Sequence, residues 1–122
     1  LDMDIYAPCA LGATVNPDTI SRLKCDIIAG AANNQLADED RDGKLCLNKG
    51  ICYAPDFLIN AGGLINVYSE INGYDRDHSI QQTREIYETT LEILNKANNE
   101  GISTHNAALE IAKHRISNTI NK

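Results

Sequence analysis

Residues 25–33 read CDIIAGAAN: a β-branched pair, Ile27 and Ile28, runs into small residues and ends on a carboxamide. A continuous apolar run this short, closed by Gly30, suits a strand buried on both faces. The same form recurs on either side. Upstream, DIYAPCALGA (4–13) puts Ile5, Tyr6 and Ala7 in a buried strand that Pro8 and Gly12 end. Downstream, GICYAPDFLINAGG (50–63) puts Ile51, Cys52 and Tyr53 in another, broken by Pro55, with Phe57, Leu58 and Ile59 packing nearby. None of the three shows the in/out alternation or two-residue turns of an antiparallel sheet. They predict an α/β fold with about three parallel strands joined by helices.

The connections support this order. Asn16 is placed to cap a short helix that starts at Pro17, where a missing N–H costs nothing, and Ile20 and Leu23 form its inward side. The charged stretch DEDRDGK (38–44) is expected to lie in solvent, because burying so many unpaired charges is prohibitive. From Asp75 to Asn99 a helical period dominates, with Ile80, Tyr87, Leu91 and Leu94 on the inner face and Ile86, Ile93 and Ala97 widening it. Asp75 and Asp77 open this helix and Gly101 ends it. Ser103 or Thr104 caps a last helix whose inner face is Ala107, Ala108, Ile111, Ala112 and Ile116. The expected organisation is a sheet-bearing unit over 1–74 and a C-terminal helical segment over 75–122 packed on it.

Composition narrows the function classes. With one Phe, five Tyr and no Trp in 122 residues, the core must be built from Ile, Leu, Val and Ala. A formal charge of −6 disfavours nucleic acid and anionic membrane as partners. No apolar run reaches the roughly 20 residues of a membrane-spanning helix, and no leader pattern is seen, so a cytoplasmic address is expected. The four cysteines, Cys9, Cys25, Cys46 and Cys52, form no CxxC pair and none is spaced with His78, His105 or His114 as metal ligands would be. Reduced, mostly buried thiols and no metal site are the expectation.

The chemistry lies at the carboxyl tip of each strand: Cys9, Ala10, Leu11 and Gly12 after the first, Gly30, Ala31, Ala32, Asn33 and Asn34 after the second, Asn60, Ala61, Gly62 and Gly63 after the third. Small residues let a ligand approach the backbone, and carboxamides offer donors and acceptors together. In an open parallel sheet the ligand sits at the carboxyl ends of the strands, so three such tips suggest one shared cleft. Taken singly, Gly62-Gly63 could be a chain reversal and Asn33-Asn34 a helix cap.

DIYAPCALGA, IAGAANNQL and YAPDFLINAGGLINV, in that order and spacing, closely resemble the C-terminal segment of the leucine, phenylalanine, valine and glutamate dehydrogenase family. The resemblance covers essentially the whole chain. It implies the second half of a Rossmann-type NAD-binding domain followed by C-terminal helices, within an enzyme that deaminates an L-amino acid reversibly to a 2-oxo acid and ammonia. It further implies that Cys9 and Ala10 lie beside the nicotinamide ribose, with Ala31 also at the cofactor. Asn33 would bond the nicotinamide carboxamide or ribose and help hold the substrate carboxylate, with Asn34 the second choice. Asn60 would line the same cleft, and Gly62, Gly63, Leu64 and Val67 would border the substrate side chain. Relatives specific for glutamate carry a hydroxyl residue where Val67 stands, so burying a carboxylate there would be costly. A branched aliphatic substrate is favoured, although one methylene shifts such a preference by only ~1–3 kcal/mol.

The family's catalytic lysines and aspartate belong to an N-terminal domain. None of the six lysines here (Lys24, Lys44, Lys49, Lys96, Lys113, Lys122) stands in the family's glycine-rich lysine motif, and all six are read as solvated. The GxGxxG turn is not in this stretch either. The implied reading is a C-terminal fragment with no catalytic residue of its own, which binds NAD weakly alone, partners an N-terminal catalytic domain and assembles as a homo-oligomer. Its first strand would leave an edge open to self-association. The competing readings are a phenylalanine- or glutamate-type relative, and a standalone non-catalytic interaction or regulatory module.

Overall fold

A computed structural model describes residues 2–120. The elements run β1 (Ile5–Tyr6), α1 (Pro17–Arg22), β2 (Ile27–Ile28), α2 (Glu39–Asn48), β3 (Cys52–Tyr53), α3 (Asp56–Ile59), α4 (Gly62–Ile71), α5 (Arg76–Glu100) and α6 (Thr104–Ile120). The fold is α/β, and the strands lie in the order β1-β2-β3, all parallel. Ile5, Ile27 and Cys52 stand in one row and Tyr6, Ile28 and Tyr53 in the next.

Those two rows have different fates. Ile28 and Tyr53 are buried, in a core with Val15, Ile20, Leu36, Cys46 and Ile51 on which Tyr6 also packs. The other row is open at β1 and β2, where Ile5 is 54% and Ile27 37% exposed, whereas Cys52 on β3 is half-buried. The expectation of strands buried on both faces therefore holds for one face only. Successive side chains of a strand point to opposite sides, and the helices that touch the sheet do so at β3 (α2 and α6), leaving the second side of β1 and β2 exposed among the described residues.

Local chemistry explains the helices. Asn16 accepts from the Thr19 amide while the Thr19 hydroxyl takes the Asn16 amide, a reciprocal cap that fixes the start of α1 at Pro17. The DEDRDGK stretch is exposed as expected at Asp38, Glu39, Asp40, Arg41 and Lys44; Asp38 caps α2 by accepting from the Arg41 amide at 2.8 Å, and the other charges form its first turns. Asp42 is fully buried. Its carboxylate is satisfied by the Arg41 guanidinium at 2.7 and 3.0 Å and by the Asp38 amide at 2.9 Å. A buried charge with that many donors is tolerable where a bare one is not.

Asp75 caps α5 by accepting from the Asp77 and His78 amides, and Gly101 closes it in the left-handed conformation at φ 65°. Ser103, rather than Thr104, caps α6 through the Asn106 amide; the Thr104 hydroxyl instead donates to the Tyr53 carbonyl and ties α6 to β3. The inner faces are narrower than the periodicity suggests. On α5, Ser79, Ile93 and Ala97 are buried, whereas Tyr87 is 66% and Leu91 38% exposed. On α6, Ala107 and Ala108 are buried and Ala112 and Ile116 are exposed. Among the described residues, cover is confined to part of each helix.

Candidate functional site

The three strand tips meet, and each meeting is built from named contacts. The Pro8 carbonyl accepts from the Ala32 amide at 3.0 Å, which draws the first tip against the second. A Cβ on Gly30 would stand 2.1 Å from the Pro8 carbonyl oxygen, so only glycine permits the approach. Cys9 Sγ accepts from the Ala31 amide at 3.5 Å. The Ala13 amide donates to the Asn34 carbonyl at 2.7 Å, and Val15 pairs with Leu36 in a parallel bridge beyond it. Asn34 takes a left-handed backbone (φ 52°), which asparagine tolerates better than most residues. The Asn33-Asn34 pair is thus a turn; the cap of the following helix is Asp38.

The third tip joins through side chains. Asn60 Nδ2 donates to Asn33 Oδ1 at 2.6 Å and to the Ala31 carbonyl at 3.4 Å. That pairing commits the oxygen of Asn33 and leaves its two Nδ2 hydrogens to donate elsewhere, with Asn60 Oδ1 available to accept. Cys9, Ala10, Ala31, Asn33 and Asn34 are all exposed, so the tips make a wall with one face open. With Asn33 Nδ2 to donate and Asn60 Oδ1 to accept, the wall suits a ligand carrying its own carboxamide or, at Asn33, a carboxylate.

Two residues that the sequence reading passed over hold this wall. Gln35 is fully buried, and its Nε2 donates to the Gly30 carbonyl at 2.7 Å and the Ala32 carbonyl at 2.9 Å. Its backbone amide donates to Asp56 Oδ2 at 3.0 Å, while Asp56 Oδ1 accepts from the Phe57 amide. Asp56 in turn accepts, through its carbonyl, the Asn60 amide at 3.0 Å. The buried Gln35–Asp56 link therefore sets the second tip against the helix that carries the third. The sequence signal was slight: a lone Asp after Pro55 at a helix start, and a Gln after two asparagines.

Leu64 and Val67 lie one helical turn apart on α4, 73% and 54% exposed, and nothing stands within 4 Å of a Cβ placed on Gly62 or Gly63. Gly62 also borders an open groove between α4 and α5 of about 420 Å3, together with Tyr74, Arg76 and Arg84. The apolar stripe continues along α4 through Tyr68 and Ile71.

Several other reactive groups serve the fold. Lys49 is not simply solvated: its ammonium bonds the carbonyls of Ile20, Ser21 and Leu23, the last being 2.7 Å away, and so closes the end of α1. Lys96 bonds Glu100 and Glu110, which raise its pKa. Lys122 lies outside the described residues. All four thiols are free, and Cys46 is buried, with burial pushing its pKa up to about 11. Cys25 and Cys52 are half-buried, and Cys9 is exposed at the wall.

Comparison with known proteins places the chain in a family. The family model described as Glutamate/Leucine/Phenylalanine/Valine dehydrogenase matches residues 1–121. The chain is 50% identical over 119 residues to L-tryptophan dehydrogenase from Nostoc punctiforme, covering 98% of this chain and 34% of that protein. It is 49% identical over 121 residues to leucine dehydrogenase from Bacillus cereus, covering 99% and 33%. The crystal structure of the Nostoc punctiforme enzyme superposes with a TM-score of 0.94 at 49% identity, over 100% of this chain and 36% of that one. The chain thus spans about a third of the length of the curated relatives it matches. It belongs to the glutamate/leucine/phenylalanine/valine dehydrogenase family.

Proposed function

We propose that this chain supplies the nicotinamide end of the cofactor site, and one wall of the substrate pocket, in an NAD-dependent amino acid dehydrogenase that interconverts an L-amino acid with its 2-oxo acid and ammonia. The observation that carries the reading is the 2.6 Å bond from Asn60 to Asn33, which fixes one carboxamide donor, Asn33 Nδ2, and one acceptor, Asn60 Oδ1, at the meeting point of three parallel strands. Bound NAD would supply the hydride acceptor. Asn33 would donate to the nicotinamide carboxamide or ribose and to the substrate carboxylate; Asn34, Cys9, Ala10 and Ala31 would line the cofactor side. Asn60 would hold Asn33 in place and border the cleft. The residues fit the group, because one carboxamide donor and one acceptor meet a carboxamide without burying a charge.

Leu64 and Val67 offer the substrate side chain an apolar surface without hydrogen-bonding groups, which favours a branched aliphatic amino acid over glutamate. A second reading is an aromatic substrate. It draws on the open space beside Gly62 and Gly63, and on the relatives named for tryptophan and for phenylalanine. The proton-transferring groups would come from polypeptide outside this chain, and the chain alone should show no turnover. No helix among the described residues is long and apolar enough to cross a membrane. A cytoplasmic homo-oligomer is the setting proposed, with the open row of Ile5 and Ile27 covered by further polypeptide.

The test is Asn33→Ala in the intact protein, assayed with NAD against leucine, phenylalanine, tryptophan and glutamate. Losing a hydrogen bond to a charged group should lower kcat/KM by about 10- to 100-fold, on the basis of ~1.5–3 kcal/mol. Leucine should be the best of the four substrates. Unchanged kcat/KM in Asn33→Ala would overturn the assignment, and glutamate as the best substrate would overturn the apolar pocket.

A further inference from the structure

Beneath the Asn33-Asn34 turn, between it and the start of α6, lies a small pocket lined by Asn34, Gln35, Glu39, Tyr53, Asp56 and His105, among others. Its polar chemistry is incomplete. Gln35 is fully buried, and its Oε1 has no hydrogen-bond partner. The amide cannot be turned over to cure this, because Nε2 is committed to two carbonyls and an oxygen in its place would face both of them. His105 is 3% exposed, and both of its ring nitrogens are also without a hydrogen bond. Glu39 Oε2 comes within 3.3 Å of Nε2, close enough for an ion pair but outside hydrogen-bond alignment. The Phe57 ring meets the imidazole edge-on, with centroids 5.7 Å apart.

Buried polar groups are rarely left in this state, and a pocket suited to water is the usual remedy. The pocket offers about 10 Å3 for the centre of a water-sized sphere, which is space for one molecule and no more. Its lining supplies the two to four polar partners that an ordered water needs. Gln35 Oε1 can only accept. A neutral imidazole offers one donor and one acceptor, so a water donating to both Gln35 and His105 leaves the second ring nitrogen to turn to Glu39. Tyr53 and Asp56 belong to the same lining.

We propose that this pocket holds a single water molecule bound between Gln35 and His105, through which α6 positions the turn that carries Asn33 and Asn34. His105 is then a positioning residue. It never touches a ligand of the wall, and acts by fixing the buried face of Gln35, whose other face holds the Gly30 and Ala32 carbonyls behind Asn33. The pocket itself stands on geometry alone, whereas its effect on cofactor binding rests on the function proposed above.

The experiment is a high-resolution crystal structure of the intact protein and of His105→Phe, which keeps a ring against Phe57 and removes both nitrogens, with NAD kinetics on each. The parent should show one water within hydrogen-bond reach of Gln35 Oε1 and a His105 nitrogen. His105→Phe should lose it, and the Asn33–Asn60 separation should widen beyond hydrogen-bond length. The KM for NAD should rise about three- to tenfold, the worth of one ordinary hydrogen bond, with kcat changing far less. His105→Gln, which restores a donor and an acceptor, should recover most of the loss. A dry pocket in the parent overturns the proposal, as does a His105→Phe protein with the Asn pair and the KM both unmoved. If His105→Phe does not fold, the parent density and His105→Gln decide the matter: a Gln variant with neither water nor a direct bond to Gln35 but unaltered KM overturns it. A protein that does not use NAD at all would defeat the functional reading, and the water and the Asn33–Asn60 separation would still judge this one.

Discussion

The strand-tip half of the chain and its helical half satisfy their polar groups over very different distances. Up to Asn60 the decisive bonds join residues far apart in sequence: Asn60 to Asn33, Gln35 to Asp56, Lys49 to the end of α1. From Gly62 onward most of them span a single helical turn, as in Asn66 to Glu70, Thr83 to Ser79 and Lys96 to Glu100. The apolar residues divide in the same way. The first half buries Val15, Ile28, Cys46 and Tyr53 in one core, while the second buries Ala97, Ala107 and Ala108 around Ile93 and leaves Ile71, Tyr87 and Ile116 outside. Long-range bonds fix positions in three dimensions, whereas local ones fix only a helix. The candidate site, at the tips, therefore lies in the half whose long-range bonds can hold atoms in place.

The contrast is broken most severely at Gly30. A Cβ there would stand 2.1 Å from the Pro8 carbonyl oxygen, which is backbone and cannot swing aside. Gly30→Ala should cost more than about 3 kcal/mol, or prevent folding, because the first and second tips must part. Chemical denaturation read by circular dichroism would measure it. A variant within about 1 kcal/mol of the parent, on the order of ordinary surface changes, would show that the tips are loosely joined.

The next comparison pairs one residue from each half. Ile28 is fully buried, and Ile28→Ala should cost about 2–5 kcal/mol through lost burial and a residual cavity. Tyr87 is 66% exposed, and Tyr87→Gln should change stability by no more than about 0.5 kcal/mol. Thermal unfolding of the two variants side by side is sufficient. A loss at Tyr87 comparable to that at Ile28, measured in the intact protein, would mean that further polypeptide covers this side of α5.

That pair also marks what the sequence could and could not reveal. The parallel sheet was legible because Ile27-Ile28 and its two counterparts are short, continuous and end in small residues, and because Asn16, Asp75 and Gly101 are helix boundaries whose chemistry is local. The meeting of Asn33 with Asn60 was legible for the same reason: strand tips converge in a parallel sheet whatever their contents. The inner face of α5 was not, since periodicity shows that a stripe exists, but how much of it is covered depends on what lies opposite. Ile5 was misjudged likewise, because burial of a strand on both faces is a property of its neighbours. Gln35 and Asp56 carry no periodic signature at all. Their role appears only once a buried amide is seen to hold two carbonyls.

Asp42 tests the first half's principle at the smallest scale. Charge density alone put it in solvent, yet it is fully buried. Burial by itself would raise its pKa; the Arg41 guanidinium and the Asp38 and Ala37 amides outweigh this and bring the net value below 3.8. A carboxyl whose folded pKa lies below its unfolded one stabilises the protein fully above the unfolded value, and that contribution fades as pH falls through the folded one. Asp42→Asn should cost about 1–3 kcal/mol at pH 7, since the amide keeps one acceptor and loses the charge. The same variant should lose less than the parent does between about pH 5 and pH 2, because the proton that unlocks the parent has no site to bind. Urea midpoints across that range measure the difference. Parallel pH profiles for the two proteins would mean that the Arg41 and Asp38 donors hold Asp42 as well when it is neutral, and that the site half depends on hydrogen-bond geometry rather than on charge.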